Sequence, residues 1–200
     1  MINYNLEDKK ILITGSSGGI GLSLSKRFVE LGCKIIFTSS NKVNLDKLKN
    51  LFGEDHAYYL LNLLEHENIF NDLKNIADNN KDIDILINNA GITDDNLLLR
   101  MKSNQWNNVI NVNLNSNFHI IKSILPNMIK NKSGKIIGIS SVVAFTGNPG
   151  QANYTASKSA MVSMYKSLAL EVAQRNININ LIAPGFIDSP MTEKLNDVQK

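Results

Sequence analysis

A tyrosine and a lysine stand four residues apart in the segment Tyr154-Thr-Ala-Ser-Lys158. Four residues make about one helical turn, so on a helix both side chains project from the same face. An ammonium beside a phenol favours the phenolate and is therefore expected to lower the pKa of Tyr154. A tyrosine tuned in this way can protonate a carbonyl oxygen that is gaining charge, or remove that proton in the reverse direction. Such pairs also arise by chance on helix surfaces, so this interpretation depends on the surrounding residues.

A serine thirteen residues earlier, Ser141, supplies part of that context. It follows an apolar segment, 134–140, that is typical of a buried strand, and the tyrosine helix begins shortly afterwards. In a doubly wound α/β sheet the carboxyl ends of the strands face the ligand crevice. Ser141 is therefore placed to hydrogen-bond a substrate carbonyl. Ser140 is the competing candidate, and its alternative role is structural, at the end of the strand.

A glycine-rich turn, Thr14-Gly-Ser-Ser-Gly-Gly-Ile-Gly21, lies between the first apolar strand and the first amphipathic helix. Glycines in such a turn permit a tight bend, close approach of the backbone to a phosphate, and close packing of helix and strand. The helix that follows presents free N–H groups and the positive end of its dipole to a pyrophosphate. We therefore predict a dinucleotide site here. The spacing fits two patterns, one with Gly15, Gly19 and Gly21 and one with Gly15, Gly18 and Gly21.

The residues after the second strand bear on which dinucleotide is bound. An acidic side chain at this point binds the ribose 2′-hydroxyl and repels a 2′-phosphate. This sequence has Thr38-Ser39-Ser40-Asn41-Lys42 instead, and the next carboxylate is Asp46. Hydroxyl groups and Lys42 favour a 2′-phosphate, so NADP(H) is predicted. A solvated lysine at a helix start is an equally good interpretation of Lys42.

Apolar strand-like segments alternate with amphipathic helical segments along the chain. The predicted strands are 10–14, 34–38, 57–61, 83–88, 134–140 and 177–182. The predicted helices are 19–31, 42–51, 65–78, 106–130 and 152–175, with Pro126 ending or kinking the fourth. This alternation is typical of βαβ units, and continuous apolar strands are typical of a parallel sheet covered on both faces. We predict a doubly wound, Rossmann-type α/β fold in a single NAD(P)-binding domain over residues 1–200.

Composition excludes several classes of protein. Cys33 is the only cysteine of the 200 residues, which excludes a disulfide framework and a cysteine-rich zinc site. No apolar run reaches the roughly 18 residues of a membrane span, and the polar N-terminus is not a signal peptide, so a cytoplasmic protein is expected. The net charge of +3 without a dense basic block is typical of a solubility charge. His56, His66 and His119 lack metal-ligand spacing, so no metal site is predicted.

Taken together, these motifs resemble the short-chain dehydrogenase/reductase family, from the first strand to the end of the chain. The matching segments are Thr14–Gly21, Asn88-Asn-Ala-Gly91, Val112-Asn-Leu114, Ser141, Tyr154 with Lys158, and Pro184-Gly185. The spacing of Gly15, Gly18 and Gly21 resembles the family's extended, sugar-nucleotide branch, but the segment Asn88–Gly91 and the short length argue against that branch. The resemblance implies four catalytic residues: Asn113, Ser141, Tyr154 and Lys158. In it, Asn113 supports a water that relays protons to Lys158 and Tyr154.

The same resemblance implies a set of contacts to the cofactor. The expected cofactor-binding residues are Gly15, Ser17, Gly19, Ile20, Gly21, Ser39, Asn62, Asn89, Ala90, Gly91, Tyr154, Lys158, Pro184, Gly185 and Ile187. Lys158 is expected to hold the nicotinamide ribose, and the backbone of Ile187 is expected to lie beside the nicotinamide amide.

The stretch from Ser141 to Tyr154, SVVAFTGNPGQANY, is similar to the active-site stretch of bacterial 3-oxoacyl-[acyl-carrier-protein] reductases. Two further segments, 89–93 and 183–187, are similar as well. This resemblance implies NADPH-dependent reduction of a 3-oxoacyl thioester to the 3-hydroxyacyl product in fatty acid synthesis. The alternative is another short-chain reductase, acting on acetoacetyl-CoA, a sugar or a polyol. A non-catalytic dinucleotide sensor on the same fold is the remote alternative.

The resemblance also implies partners. An acidic acyl carrier protein is expected to dock on basic side chains, and Lys130, Lys132 and Arg175 match the positions that the resemblance suggests. Their alternative role is that of solvated helix ends. No nucleic-acid or membrane partner is expected.

The length of the chain carries a further expectation. The family's sheet has a seventh strand, and helices near it build a homotetramer. This chain ends at Gln199-Lys200, within the region of the family's substrate lid. The C-terminal part of the family fold is therefore expected to be absent, and the chain is either a fragment or a departure from the family. A true 200-residue product is expected to show weak stability and impaired oligomerisation and activity.

Overall fold

A computed structural model of the chain describes residues 5–64 and 66–188, without the side chains of 66–68. Its strands form one parallel sheet in the order β3-β2-β1-β4-β5-β6. They are β1 (Lys10–Ile13), β2 (Lys34–Ser39), β3 (Ala57–Leu60), β4 (Ile85–Asn88), β5 (Gly134–Ile139) and β6 (Ile177–Ile182). The predicted doubly wound α/β fold is confirmed.

Seven α-helices connect the strands within the described residues. They are α1 (Gly19–Glu30), α2 (Lys42–Phe52), α3 (His66–Asn79), α4 (Ser103–Ile110), α5 (Ser116–Asn131), α6 (Val143–Thr146) and α7 (Ala152–Val172). The predicted start of the third helix at Glu65 lies outside the described residues, as does the predicted lid region at 199–200.

The order of the strands reverses beside β1. This strand pairs with β2 on one side and with β4 on the other. At such a switch point the connections leave in opposite directions, and a crevice opens at the carboxyl ends of the strands. Three predicted site residues follow these strand ends: Gly15 lies after β1, Asn89 after β4 and Ser141 after β5.

The core lies in two layers, one on each face of the sheet. In β1, Leu12 faces the layer that contains α3, α5 and α7, whereas Ile11 and Ile13 face α1 and α2. This alternation follows from the two-residue period of a strand. All three side chains have 0% exposure, as expected for a sheet covered on both faces.

The helix predicted over 106–130 is wrong in one respect. A π-helical turn, Asn111–Asn115, separates α4 from α5. The spacing of apolar residues does not reveal such a turn, because it inserts a single residue into a helix that otherwise continues. Pro126 does not end α5, which continues to Asn131. Strands β1 and β4 are also shorter than predicted, since Thr14 already belongs to the glycine turn and β4 begins at Ile85.

Candidate active site

A crevice of about 670 Å³ opens at the carboxyl ends of β1, β4 and β5, within the size range of ligand pockets. Most of the predicted site residues line it, namely Gly15, Ser17, Gly19, Ile20, Asn62, Asn89, Ala90, Gly91, Ser141, Tyr154, Lys158, Pro184, Gly185 and Ile187. Gly21, Ser39 and Asn113 are not among the lining residues and are buried behind them. The structure thus brings the two predicted groups, catalytic and cofactor-binding, to one cavity.

The glycine turn is held closed by an asparagine that directly follows the neighbouring strand β4. The Asn89 side-chain amide donates to the carbonyl oxygens of Thr14, at 2.9 Å, and Gly15, at 3.1 Å. In return, the Thr14 hydroxyl accepts from the N–H groups of Asn89, at 3.0 Å, and Ala90, at 2.9 Å. A Cβ atom on Gly21 would lie 2.7 Å from Asn89 Nδ2 and against the Gly15 carbonyl oxygen. Glycine at position 21 is therefore required by this close approach.

Helix α1 presents its N-terminus to the crevice. Gly18 caps the helix with its backbone, and the Leu22 N–H is bonded to the Gly18 carbonyl oxygen at 2.8 Å. The preceding amides of the first turn have no partner within the helix, and Gly19 and Ile20 lie in the crevice wall. An anionic phosphate at this end is favoured by free N–H groups and by the helix dipole. The residues present therefore fit the pyrophosphate of a dinucleotide.

The end of β2 differs from the prediction in one residue. Ser39 is 4% exposed, its Oγ lies 3.3 Å from Ser17 Oγ, and it accepts from the Asn41 N–H. Ser39 thus supports the glycine turn from behind, whereas its neighbours Thr38 and Ser40 line the crevice. Of the three hydroxyl residues predicted at this point, Thr38 and Ser40 line the crevice and Ser39 does not.

Tyr154 and Lys158 share one face of α7, beside Ser141. Lys158 is 3% exposed, and its Nζ donates to the Ile139 carbonyl oxygen at 2.7 Å. The same Nζ lies 5.6 Å from the centroid of the Tyr154 ring. The Ser141 side chain forms a hydrogen bond with Tyr154. A phenol, an ammonium and a hydroxyl therefore meet at one wall of the crevice.

The acid–base properties of this group differ from the prediction. Burial raises the pKa of Tyr154, the hydrogen bond from Ser141 opposes that rise, and the negative charge of Asp95 adds to it. Burial also lowers the pKa of Lys158 to about 8. The expectation that Lys158 lowers the pKa of Tyr154 is wrong, because the cost of burying a phenolate dominates.

The two serines at the end of β5 have different environments. Ser140 is 3% exposed, and its hydroxyl donates to the Lys158 carbonyl oxygen at 3.2 Å. Ser141 instead contacts Tyr154 and accepts weakly from the Val143 N–H at 3.4 Å. Ser140 therefore anchors α7 to the sheet, and Ser141 is the serine beside the phenol.

Asn113 lies in the π turn with a fully buried side chain. Its Oδ1 accepts from the Ile92 N–H at 2.8 Å, and its Nδ2 donates to the Ile92 carbonyl oxygen at 3.0 Å. The same Nδ2 donates to Ser157 Oγ at 3.1 Å, and Ser157 in turn donates to the Tyr154 carbonyl oxygen at 2.7 Å. Asn113 therefore joins the loop after β4 to helix α7, which carries Tyr154.

Gly91 separates Asn113 from the crevice. A Cβ atom at this position would lie 3.3 Å from Asn113 Oδ1 and 3.5 Å from Lys158 Nζ. Because Gly91 has no side chain, Asn113 Oδ1 and Lys158 Nζ face the same small space. Asn113 itself does not line the crevice.

Several residues at the site had no signal in the sequence that we could interpret. Thr14 and Ser157 make the cross-links described above, and both are small hydroxyl residues inside motifs whose recognised members are their neighbours. Gln151 also lines the crevice, and its Nε2 donates to Asp95 Oδ2 at 2.8 Å. Asn148 Nδ2 donates to Gln151 Oε1 at 3.0 Å. The cluster of polar residues before Tyr154 was the available indication of this second wall.

Two kinds of feature are absent from the part of the chain that the structure describes. There is no group of three or more His, Cys, Asp or Glu side chains able to hold a metal ion. No helix there has both the length and the apolar character needed to cross a membrane.

Comparison with known proteins places this arrangement in a family. The sequence model of the short chain dehydrogenases matches residues 9–200. The chain belongs to the short chain dehydrogenase family. Among curated proteins of the family, the 3-oxoacyl-[acyl-carrier-protein] reductase FabG of Buchnera aphidicola is 43% identical over 195 residues, which cover 98% of this chain and 80% of the relative. The reductase of the same name from Vibrio harveyi is 44% identical, again over 98% and 80% of the two chains.

Membership of the short chain dehydrogenases defines the class of cofactor. It indicates an oxidoreductase that uses a nicotinamide dinucleotide. The glycine turn, the open N-terminus of α1 and the crevice wall formed by Asn89, Ala90 and Gly91 fit that cofactor.

Proposed function

We propose that this protein reduces 3-oxoacyl-[acyl-carrier-protein] to the 3-hydroxyacyl product with NADPH, as a step of fatty acid synthesis. The observation that carries the proposal is the meeting of Ser141, Tyr154 and Lys158 at the crevice that also contains the dinucleotide turn. The reductases that share this name are 42% to 44% identical to the chain, which supports the same substrate class.

The proposed roles follow from the chemistry of the three side chains. The nicotinamide, when bound, supplies a hydride to the 3-carbonyl carbon. Ser141 donates a hydrogen bond to the carbonyl oxygen and orients it. Tyr154 gives its proton to that oxygen as negative charge develops there. Because burial raises the pKa of Tyr154, the phenol is protonated at neutral pH and is ready to act as an acid in the direction of reduction.

Lys158 and Asn113 are proposed to resupply the proton. With a pKa lowered to about 8, the Lys158 ammonium gives up a proton more readily than an exposed lysine does. Both N–H groups of the Asn113 amide are already donated, to Ile92 and Ser157. Asn113 can therefore hold a relay water only through the lone pairs of its oxygen atoms.

One assay separates this proposal from its alternatives. We expect oxidation of NADPH with acetoacetyl-[acyl-carrier-protein], and slower oxidation with acetoacetyl-CoA. Turnover of a sugar or polyol alone would instead identify another reductase. Binding of NADPH without turnover of any of these substrates would identify a dinucleotide sensor.

We also propose NADP(H) over NAD(H). The crevice beside β2 is lined by the hydroxyl residues Thr38 and Ser40 rather than by a carboxylate. Lys42 is close by and pairs with Asp46 at 2.7 Å, with their side chains 71% and 54% exposed. Exposed pairs of this kind contribute little, so Lys42 can leave Asp46 for a 2′-phosphate at small cost.

The cofactor preference is tested with a matched pair of variants. Lys42→Ala should weaken NADPH binding several-fold and leave NADH binding unchanged. Lys49→Ala is the control, because Lys49 pairs with Glu54 at 2.9 Å near the other end of α2. Titration of each variant with both cofactors measures the effect. A preference of the wild-type protein for NADH would contradict the proposal.

A basic docking patch for the carrier protein is proposed at Lys130, Lys132 and Arg175. All three residues are exposed. Asn176 Nδ2 donates to the Lys132 carbonyl oxygen at 3.1 Å, so Lys132 and Arg175 belong to one surface. That surface lies at the amino ends of β5 and β6, whereas Ser141 follows the carboxyl end of β5. The acyl arm therefore has to span about one strand, roughly 20 Å for six residues at about 3.3 Å each, or reach the site of a neighbouring copy.

Charge reversal tests the patch. The double variant Lys132→Glu/Arg175→Glu should raise the KM for acetoacetyl-[acyl-carrier-protein] and leave the KM for a small ketone analogue unchanged. Lys26→Glu/Lys47→Glu, at exposed lysines on α1 and α2, makes the same change in net charge away from the patch and is the control. An equal effect on both substrates would argue against docking at this surface.

We further propose a cytoplasmic homotetramer. Large apolar side chains are exposed on the helices beside the site: Trp106 at 37%, Phe118 at 49% and Leu170 at 82%. Their burial between copies would remove apolar surface from water. Light scattering should give four copies, and Leu170→Lys should lower that number while Leu51→Lys on α2 should not. The free, buried Cys33 suits a reducing compartment, which cell fractionation can check.

A further inference from the structure

A chain of buried hydrogen bonds runs behind the crevice. Asn88 Nδ2 donates to Tyr165 Oη, Tyr165 Oη donates to Asn117 Oδ1, and Asn117 Nδ2 donates to the Asn113 carbonyl oxygen, each at 2.8 Å. None of the four residues is more than 2% exposed. Buried polar groups that lose their partners are costly, so these bonds hold their residues firmly.

Each residue in this series of hydrogen bonds lies on a strand or helix that also carries part of the site. Asn88 is the last residue of β4, directly before the crevice residues 89–91. Asn117 lies in the first turn of α5, directly after the π turn. Tyr165 lies on α7 seven residues after Lys158, which is about two helical turns and places both on one face. The Tyr165 hydroxyl is thus the common link of β4, α5 and α7.

Side-chain donors bond to backbone carbonyl oxygens of the π turn. In such a turn an N–H group bonds to the carbonyl five residues earlier, as the Ser116 N–H does to Asn111. The Ser116 hydroxyl then donates to the Val112 carbonyl oxygen, and the Asn117 amide donates to that of Asn113. Side chains therefore bond to two successive carbonyls of the turn that directs Asn113 inward.

The neighbouring strand makes room for the Tyr165 ring. A Cβ atom on Gly138 would lie 2.7 Å from Tyr165 Cε1 and 2.6 Å from Met161 Cε. Burial raises the pKa of Tyr165, so its hydroxyl keeps the proton that it donates to Asn117. The hydroxyl is not among the groups that line the crevice.

We propose that Tyr165 is a positioning residue, which acts through Asn117 to fix Asn113 in the π turn. The consequence reaches the crevice through Ile92, since Asn113 holds both the N–H and the carbonyl oxygen of that residue. Loss of the Tyr165 hydroxyl loosens this bonded pair and misplaces the groups beside Tyr154.

The first test has a matched control and does not depend on activity. Tyr165→Phe removes one hydroxyl, which leaves Asn88 Nδ2 without its acceptor and Asn117 Oδ1 without its donor. Tyr59→Phe removes a hydroxyl that likewise accepts from an asparagine amide, that of Asn80 at 3.0 Å, in β3. Amide hydrogen exchange at Ile92 should accelerate about tenfold in Tyr165→Phe and stay unchanged in Tyr59→Phe. Unchanged exchange at Ile92 in Tyr165→Phe would overturn the proposal.

The second test separates positioning from simple packing, and it rests on the proposed reductase activity. The kcat of Tyr165→Phe should fall about tenfold with little change in NADPH affinity, since small displacements of reacting groups are costly. The double variant Tyr165→Phe/Asn88→Val removes the orphaned Asn88 amide but leaves Asn117 in place, so it should regain stability without regaining kcat. A kcat that recovers together with stability would show a merely structural role and refute the inference. A wild-type protein without reductase activity would refute the proposed function and leave the exchange test standing.

Discussion

Replacing Lys158 with methionine should make the protein more stable and inactive. The lysine is 3% exposed, and burial lowers its pKa from 10.5 to about 8. At about 1.4 kcal/mol per pH unit, this difference means that burying the ammonium costs about 3 kcal/mol of unfolding free energy. Methionine is apolar, of similar length, and carries no such cost.

The direction in which stability changes with pH follows from the two pKa values of Lys158. The native state has the lower pKa, so between pH 8 and 10.5 the unfolded chain binds more protons and wild-type stability rises with pH. Below pH 8 the full cost is present. Lys158→Met escapes it but loses the hydrogen bond to the Ile139 carbonyl oxygen, worth about 1 kcal/mol. We therefore expect the variant to be about 2 kcal/mol more stable at pH 7, with the advantage gone near pH 10.

Urea unfolding at pH 7 and pH 10 measures both values, provided that the slope with denaturant stays constant. Lys166→Met, at an exposed position of the same helix, is the control and should follow the wild-type curve. The reasoning is refuted if the difference between wild type and Lys158→Met is the same at both pH values. A stable but inactive variant would show that the lysine is kept for its chemistry at the expense of stability.

Two further substitutions test the close approaches of glycines. Gly21→Ala places a methyl group 2.7 Å from Asn89 Nδ2 and should weaken NADPH binding at least tenfold, which fluorescence titration measures; an unchanged Kd would contradict the clamped turn. In Gly138→Ala the added methyl group overpacks against Met161 and Tyr165. The free energy of unfolding should fall by about 1–3 kcal/mol in thermal or urea unfolding. An unchanged free energy would mean that these two side chains can move aside.

The fold was predictable because its signals are local. Residues such as Ile35, Ile36 and Phe37 form continuous apolar strands, and glycines or polar residues bound them. The π turn was not predictable, because one inserted residue leaves the apolar pattern of a helix almost unchanged. The bond from Tyr165 that holds Asn117 against the turn joins residues 48 positions apart, so it has no local signal.

The sequence predicted which residues meet at the site better than it predicted their pKa values. Motif spacing brought Ser141, Tyr154 and Lys158 together, because parallel strands end at one edge and the helix that follows starts there. The direction of the Tyr154 pKa was missed, since it depends on how deeply tertiary packing buries the phenol. Ser39 packs against Ser17 behind the glycine turn, and the sequence does not report that contact, because it joins residues 22 positions apart.

The most direct test of the account compares wild type with Tyr154→Phe in the oxidation of NADPH by acetoacetyl-[acyl-carrier-protein]. The variant lacks the proposed proton donor, so turnover should fall by about 10² to 10⁴-fold. NADPH affinity should stay near the wild-type value, since the ring remains in place. Near-normal turnover by Tyr154→Phe, measured beside an active wild type, would contradict the central role of this tyrosine.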